Sequence, residues 1–228
     1  MNAPHDVAAG LLQVRARIAA ACARAGRDPV TVQLLAASKF QSPEAIRTAY
    51  AAGQRQFGEN YVQELVQKAQ ALADLPELRW HLIGRLQTNK VKDVVRLNAA
   101  VQSLDSLKLC EALAQRAAAS GQRVQVYVQV NISDEPQKAG VTPAALPQLI
   151  QAARAAPALD LRGLMAIPKP SEDEAEQRAD FRKLRQLTEH LGLPELSMGM
   201  SDDLELAILE GATMVRVGTA LFGERPAD

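Results

Sequence analysis

From Val32 onward the chain repeats one pattern eight times: a short apolar run, a turn, then a stretch whose apolar residues recur every three or four positions. The runs occupy residues 32–38, 56–60, 79–84, 99–104, 123–132, 161–167, 195–198 and 214–217. Runs this short suit strands, and the spacing between them suits helices with one apolar face. Alternation of the two predicts a parallel sheet covered by helices, because parallel neighbours need a crossover. Eight units with short connections predict closure into a single (β/α)8 TIM-type barrel. An open doubly wound sheet is the rival, and its signature is missing. Lys39, Phe40, Gln41 and Ser42 occupy the first strand–helix turn, where a dinucleotide fold would place GxGxxG.

The helix signals are specific. Ser42 is a cap with Pro43 in the first turn, and Gly53 ends that helix. Val62, Leu65, Val66, Ala69 and Leu72 share a face of the next, and Val91, Val94 and Val95 mark a short one. Leu109, Cys110, Leu113 and Ala117 point inward from the fourth. Thr142 and Pro143 open the fifth, with Leu146, Leu149, Ile150 and Ala153 on one side. Ser171 and Glu174 form a capping-box pattern ahead of Phe181, Leu184 and Leu191, while Leu204, Ala207 and Ile208 mark a helix closing at Gly211.

Before the first strand, Val7, Leu11, Val14 and Ile18 fall on one helix face, so residues 1–30 are expected to pack on the barrel as an extra helix. Arg15 and Arg17 interrupt what a signal peptide would need as its apolar stretch. No apolar run is long enough to span a bilayer. No Pro/Ser-rich linker divides the chain, so residues 1–228 read as one domain.

Composition weighs against some classes of partner. With 26 basic and 26 acidic side chains the net charge is zero, which argues against nucleic acid or an anionic membrane, since both favour a basic face. Cys22 and Cys110 lie in alanine-rich helical patterns, away from any CxxC or His pair. They read as small core residues, and no metal site is expected. A disulfide between them stays open, but sparse cysteine suits a reducing cytoplasm.

Barrels of this kind assemble their sites at the C-terminal ends of the strands. Those positions hold Ser38 and Lys39, Asn60, His81 with Gly84, Met165 and Ala166, residues 197–201, and residues 216–219. A lysine directly after an apolar strand either snorkels to solvent or is held for chemistry, where a desolvated amine can attack an aldehyde. Ser201 ends the SMGMS turn and is read as opening a helix, and Gly218 with Thr219 forms a second small turn. Each alone is an ordinary cap or turn. Together, after the last two strands, they predict a phosphate site, provided Asp202 and Asp203 point away. Arg216 alternates with Val215 and Val217; it faces either the barrel, where it needs acceptors, or the outer helices.

Six ordered segments carry a resemblance: LAASK at 35–39, QFGEN at 56–60, HLIGRLQTNK at 81–90, LM at 164–165, SMGMS at 197–201 and VRVGTA at 215–220. From about Val32 to Pro226 the chain resembles the pyridoxal phosphate homeostasis proteins. That resemblance implies the barrel of alanine racemase, with pyridoxal 5′-phosphate (PLP) held as a Schiff base on Lys39. It implies phosphate contacts from Ser201, Gly218 and Thr219, Arg216 near the pyridine nitrogen, and Asn60, His81 and Met200 lining the pocket. Lys138, after the fifth strand, matches a family lysine that would receive or pass on the cofactor, although a loop lysine is commonly just solvated.

An arginine beside the pyridine nitrogen disfavours its protonation and weakens the ring as an electron sink. The barrel pattern also runs almost to Asp228, leaving no space for the β-domain that supplies a racemase's second base. The expectation is a monomeric, non-catalytic protein that holds or delivers PLP, with PLP-dependent apo-enzymes as recipients. The competing readings are a small amino-acid racemase or lyase, and a structural barrel whose lysine is incidental.

Overall fold

A computed structural model describes residues 6–133, 135 and 137–223. Eight strands, β1 (Gln33–Ala37), β2 (Gln56–Glu59), β3 (Arg79–Leu82), β4 (Ala100–Leu104), β5 (Val124–Gln129), β6 (Leu159–Met165), β7 (Glu195–Ser197) and β8 (Met214–Val217), close into a barrel in sequence order. All neighbours are parallel, and β1 closes the barrel on β8 in a register running from Gln33↔Met214 to Ala36↔Val217. The helices are α1 (Val7–Arg24), α2 (Pro43–Ala51), α3 (Val62–Ala71), α4 (Val91–Arg96), α5 (Leu107–Ala119), α6 (Leu146–Ala155), α7 (Glu174–His190), α8 (Leu204–Leu209) and α9 (Thr219–Phe222).

Alternation along each strand divides the core in two. Outward residues such as Ala36, Phe57, Leu82, Val101, Val126 and Val215 meet the helices in one large apolar layer. Leu35, Tyr127, Met165 and Met214 form a smaller cluster inside, with Ile83 against it. Polar groups fill much of the remaining interior: His81, Gln102, Glu195, Ser197 and Arg216 are all buried.

The extra helix has a structural task. α9 has four residues, too few to cover the β8–β1 seam, and α1 packs against α2, α8 and α9 in the same region. Leu11, Val14, Ile18 and Cys22 are its buried face. Arg17 donates to Glu205 on α8 (2.6 Å) and to the Ser201 carbonyl (2.8 Å), tying α1 to the loop after β7.

Several boundaries differ from the sequence reading. α6 begins at Leu146 because residues 142–145 wind into a turn, with Ala145 and Leu146 both donating to the Thr142 carbonyl. α7 is capped by Asp173, which accepts from the Ala175 amide (2.8 Å), whereas the Ser171 hydroxyl accepts from the Asp173 amide and donates to Glu176. α8 starts at Leu204 and not at Ser201. β6 is displaced to start at Leu159 and stop at Met165, and β5 stops at Gln129. Cys22 and Cys110 are free and buried. No described helix is long and apolar enough to cross a membrane, and Pro226 lies outside the described residues.

Candidate functional site

The C-terminal mouth gathers Lys39 two residues beyond β1, Asn60 beyond β2, Met200 and Ser201 beyond β7, Arg216 on β8, and Gly218 and Thr219 just after it. Barrel closure makes β7, β8, β1 and β2 consecutive neighbours, so these residues share one half of the mouth. Two glycines permit the approach. Gly199 holds φ at +89°, and a Cβ there would sit 2.5 Å from the Ala207 side chain. A Cβ on Gly84 would strike the Asn60 carbonyl at 2.2 Å, so the loop after β3 can lie directly on Asn60. The Ser201 hydroxyl accepts from the Ala220 amide at 3.4 Å, joining the two small-residue turns. Asp203 uses its carboxylate on the Met200 amide (2.6 Å), and Asp202 is exposed.

Lys39 is half-buried, and the residues on either side of it bond to a largely buried ionic cluster. The Lys68 ammonium donates to the Ser38 carbonyl (2.6 Å), to Glu59 (2.9 Å) and to Glu64 (2.6 Å). Ser38 donates its hydroxyl to the same Glu59 oxygen (2.6 Å), and the Phe40 amide donates to Glu64 (2.6 Å). The residues on both sides of Lys39 are thereby pinned, with Phe40 in the left-handed region at φ +64°. Burial pushes the Glu59 carboxyl above its ordinary value, opposed by Lys68 and by the Ser38 hydrogen bond.

Arg216 points into the barrel. It donates Nη1 to the Ser197 hydroxyl (2.8 Å) and Nη2 to the Ala166 carbonyl (2.9 Å). Burial lowers its pKa to about 10, which leaves it cationic at neutral pH. Ser197 donates to Gln102 Oε1 (2.7 Å), and Gln102 Nε2 lies 3.1 Å from His81 Nδ1. These contacts orient one another. Arginine can only donate, so the Ser197 oxygen accepts and its proton goes to the Gln102 carbonyl. The Gln102 amide then faces His81 as a donor, and Nδ1 must accept. Burial lowers the His81 pKa to about 4, so the ring is neutral with its proton on Nε2.

His81 therefore does not join the other expected site residues at the mouth. It reaches Arg216 only through Gln102 and Ser197, and it lines a cavity at the opposite, N-terminal end of the barrel. Lys138 is ion-paired with Glu135 in its own loop (2.5 Å). The sequence reading missed Gln102 as well as the Glu59, Glu64 and Lys68 cluster. Two signals were available: Gln102 is a polar residue mid-strand, and Lys68 falls three residues after Leu65 on the apolar face of α3. Among the described residues no cluster of three or more His, Cys, Asp or Glu side chains is placed to hold a metal.

A closed parallel barrel with a buried arginine and two small-residue turns at its mouth defines the class of the alanine racemase N-terminal domain, whose family profile matches residues 11–226. The solved alanine racemase of Corynebacterium glutamicum shares the fold at a TM-score of 0.70 and 17% identity, over 95% of this chain and 62% of that one. The pyridoxal phosphate homeostasis protein of Pseudomonas aeruginosa is 51% identical over 96% of each chain. PipY of Synechococcus elongatus PCC7942, solved with PLP bound, is 42% identical with a TM-score of 0.79, over 92% of this chain and all of that one. The chain belongs to the pyridoxal phosphate homeostasis protein family.

Proposed function

We propose that this chain, as a single monomeric domain, binds PLP at the barrel mouth as a Schiff base on Lys39 and serves to hold or deliver it within a reducing cytoplasm. The observation that carries the reading is the convergence of the lysine, both small-residue turns and Arg216 on three adjacent strands at one side of the mouth. The donor set fits the group. Ser201, Thr219 and the Gly218 turn offer hydroxyls and backbone amides to a phosphate, while the Asp203 carboxylate is already engaged by the Met200 amide. Asn60 and Met200 flank the ring position, and His81 supports it indirectly through Gln102.

The cofactor supplies an aldehyde for the lysine and a ring able to accept electrons. The chain's own residues restrain that chemistry. Arg216, held by Ser197 and the Ala166 carbonyl, keeps a positive charge where the pyridine nitrogen would lie and opposes its protonation. That disfavours chemistry of the aminotransferase kind, which relies on a protonated ring. Phe40, Tyr61, Ile167 and Met200 are exposed apolar residues in loops that follow the strands, a surface suited to apo-enzyme recipients.

Borohydride reduction followed by peptide mass mapping tests the reading. The expected result is loss of a visible band with a pyridoxyl adduct on Lys39, and neither band nor adduct in Lys39→Ala. An adduct only at Lys138, or none after PLP is added, overturns it. Steady conversion of L-alanine or L-serine abolished in Lys39→Ala would assign a racemase or lyase instead.

A further inference from the structure

The N-terminal end of the barrel holds a concavity of about 440 Å³, which the proposed cofactor site does not use. A volume of that order suits a small ligand. Its wall is made by the first residues of the strands, with Gln33, Gln56, Gln125 and Asn98 as neutral polar groups. Three arginines, Arg79, Arg123 and Arg162, face two carboxylates, Asp160 and Glu195, so the formal balance is one positive charge. Both carboxylates are committed. Glu195 accepts from Arg162 and from the Tyr127 hydroxyl, and Asp160 lies 3.4 Å from Arg123 and 3.7 Å from Arg162. Arg79 alternates with His81 along β3, so both side chains face the barrel axis.

His81 is 4% exposed and borders this cavity. The chain from Arg216 through Ser197 and Gln102 leaves its Nε2–H as the terminal donor, on the cavity side of the ring. A donor opening into a cavity with a positive formal balance suits an anionic acceptor, and Arg79, exposed at the rim, is the arginine not ion-paired to either carboxylate.

We propose that the N-terminal cavity binds a small oxyanion, a phosphate or carboxylate, between His81 Nε2–H and Arg79, and that the Gln102–Ser197 chain transmits its occupancy to Arg216 at the mouth. Every donor in the chain points toward the cavity, so an acceptor at its end polarises each bond in the same sense. Occupancy then changes the hydrogen bonding of the guanidinium beside the cofactor ring. The transmission half rests on the PLP reading, whereas the site itself does not.

The test uses the full chain loaded with PLP, which fills the phosphate turns at the mouth, with 15N-labelled histidine and the His81 signals assigned through His81→Gln. Inorganic phosphate and acetate are titrated separately while the His81 Nε2 resonance and the visible band are recorded. Saturation of the His81 shift by either anion, weakened about tenfold in Arg79→Gln, supports the site and names the class, being the scale of one charge-assisted hydrogen bond. Linear drift with both anions, or saturation undiminished in Arg79→Gln, overturns it. A visible-band change that follows His81 occupancy and disappears in Gln102→Met, while the His81 shift still saturates, supports transmission. A band that stays fixed as the site fills overturns transmission. If no cofactor band forms at all, the reading of the mouth fails, and the histidine titration still decides the cavity.

Discussion

At His81, burial decides protonation, and protonation has a consequence for stability. The folded ring titrates at about 4, below its ordinary 6.5, so between those values the unfolded chain binds a proton that the folded chain refuses. The contribution is present above pH 6.5 and is lost as pH falls, amounting to about 3 kcal/mol by pH 4. Urea unfolding of wild type and His81→Gln should therefore converge toward acid, the variant lacking this part of the slope. A His81 NMR signal titrating near 6.5 would contradict the buried contact with Gln102. Lys39 drew notice in the sequence because it directly follows an apolar strand, although position alone left it open between a solvated and a chemical lysine, and the family segments supplied the choice. The depth of His81 was not legible, because a residue's layer in a barrel depends on strand tilt and register with seven other strands.

Between elements, the β2–α3 unit acts as the support for the Lys39 turn. Lys68 is 5% exposed yet charged, and its three acceptors come from the end of β1, from β2 and from its own helix. Lys68→Met leaves Glu59 buried without its cation and should cost about 3 kcal/mol in urea unfolding. Adding Glu59→Gln should recover part of that loss, which a double-mutant cycle reads directly. The same variant should slow borohydride trapping at Lys39, since the Ser38 carbonyl loses its ammonium donor. Equal trapping rates would reduce the cluster to a folding device. The QFGEN segment drew attention to Asn60, but Lys68 lay on an apolar helix face with nothing local to mark its partner. Helix starts such as those of α6 and α7 were misread because Thr142 and Ser171 engage their own turns, a competition that a capping pattern does not resolve.

For the whole molecule, closure is the governing event, and α1 takes part in it. Leu11 is 1% exposed against the helices that flank the β8–β1 seam. Leu11→Ala should destabilise the entire barrel by about 2–5 kcal/mol in a single unfolding transition. A loss below about 0.5 kcal/mol, the scale of a surface change, would show that α1 is an appendage. The eight-fold alternation, the (β/α)8 class, the outward apolar faces and the positions of Lys39, Ser201, Arg216 and Gly218 at strand ends were all determined by local sequence, because periodicity and turn chemistry act over a few residues. Which way Arg216 points, how His81 joins it through Gln102 and Ser197, what holds the Lys39 turn, and where α1 docks were decided only by tertiary structure. Ser197 and Gln102 are 95 positions apart, and only ring closure with a definite stagger makes them neighbours.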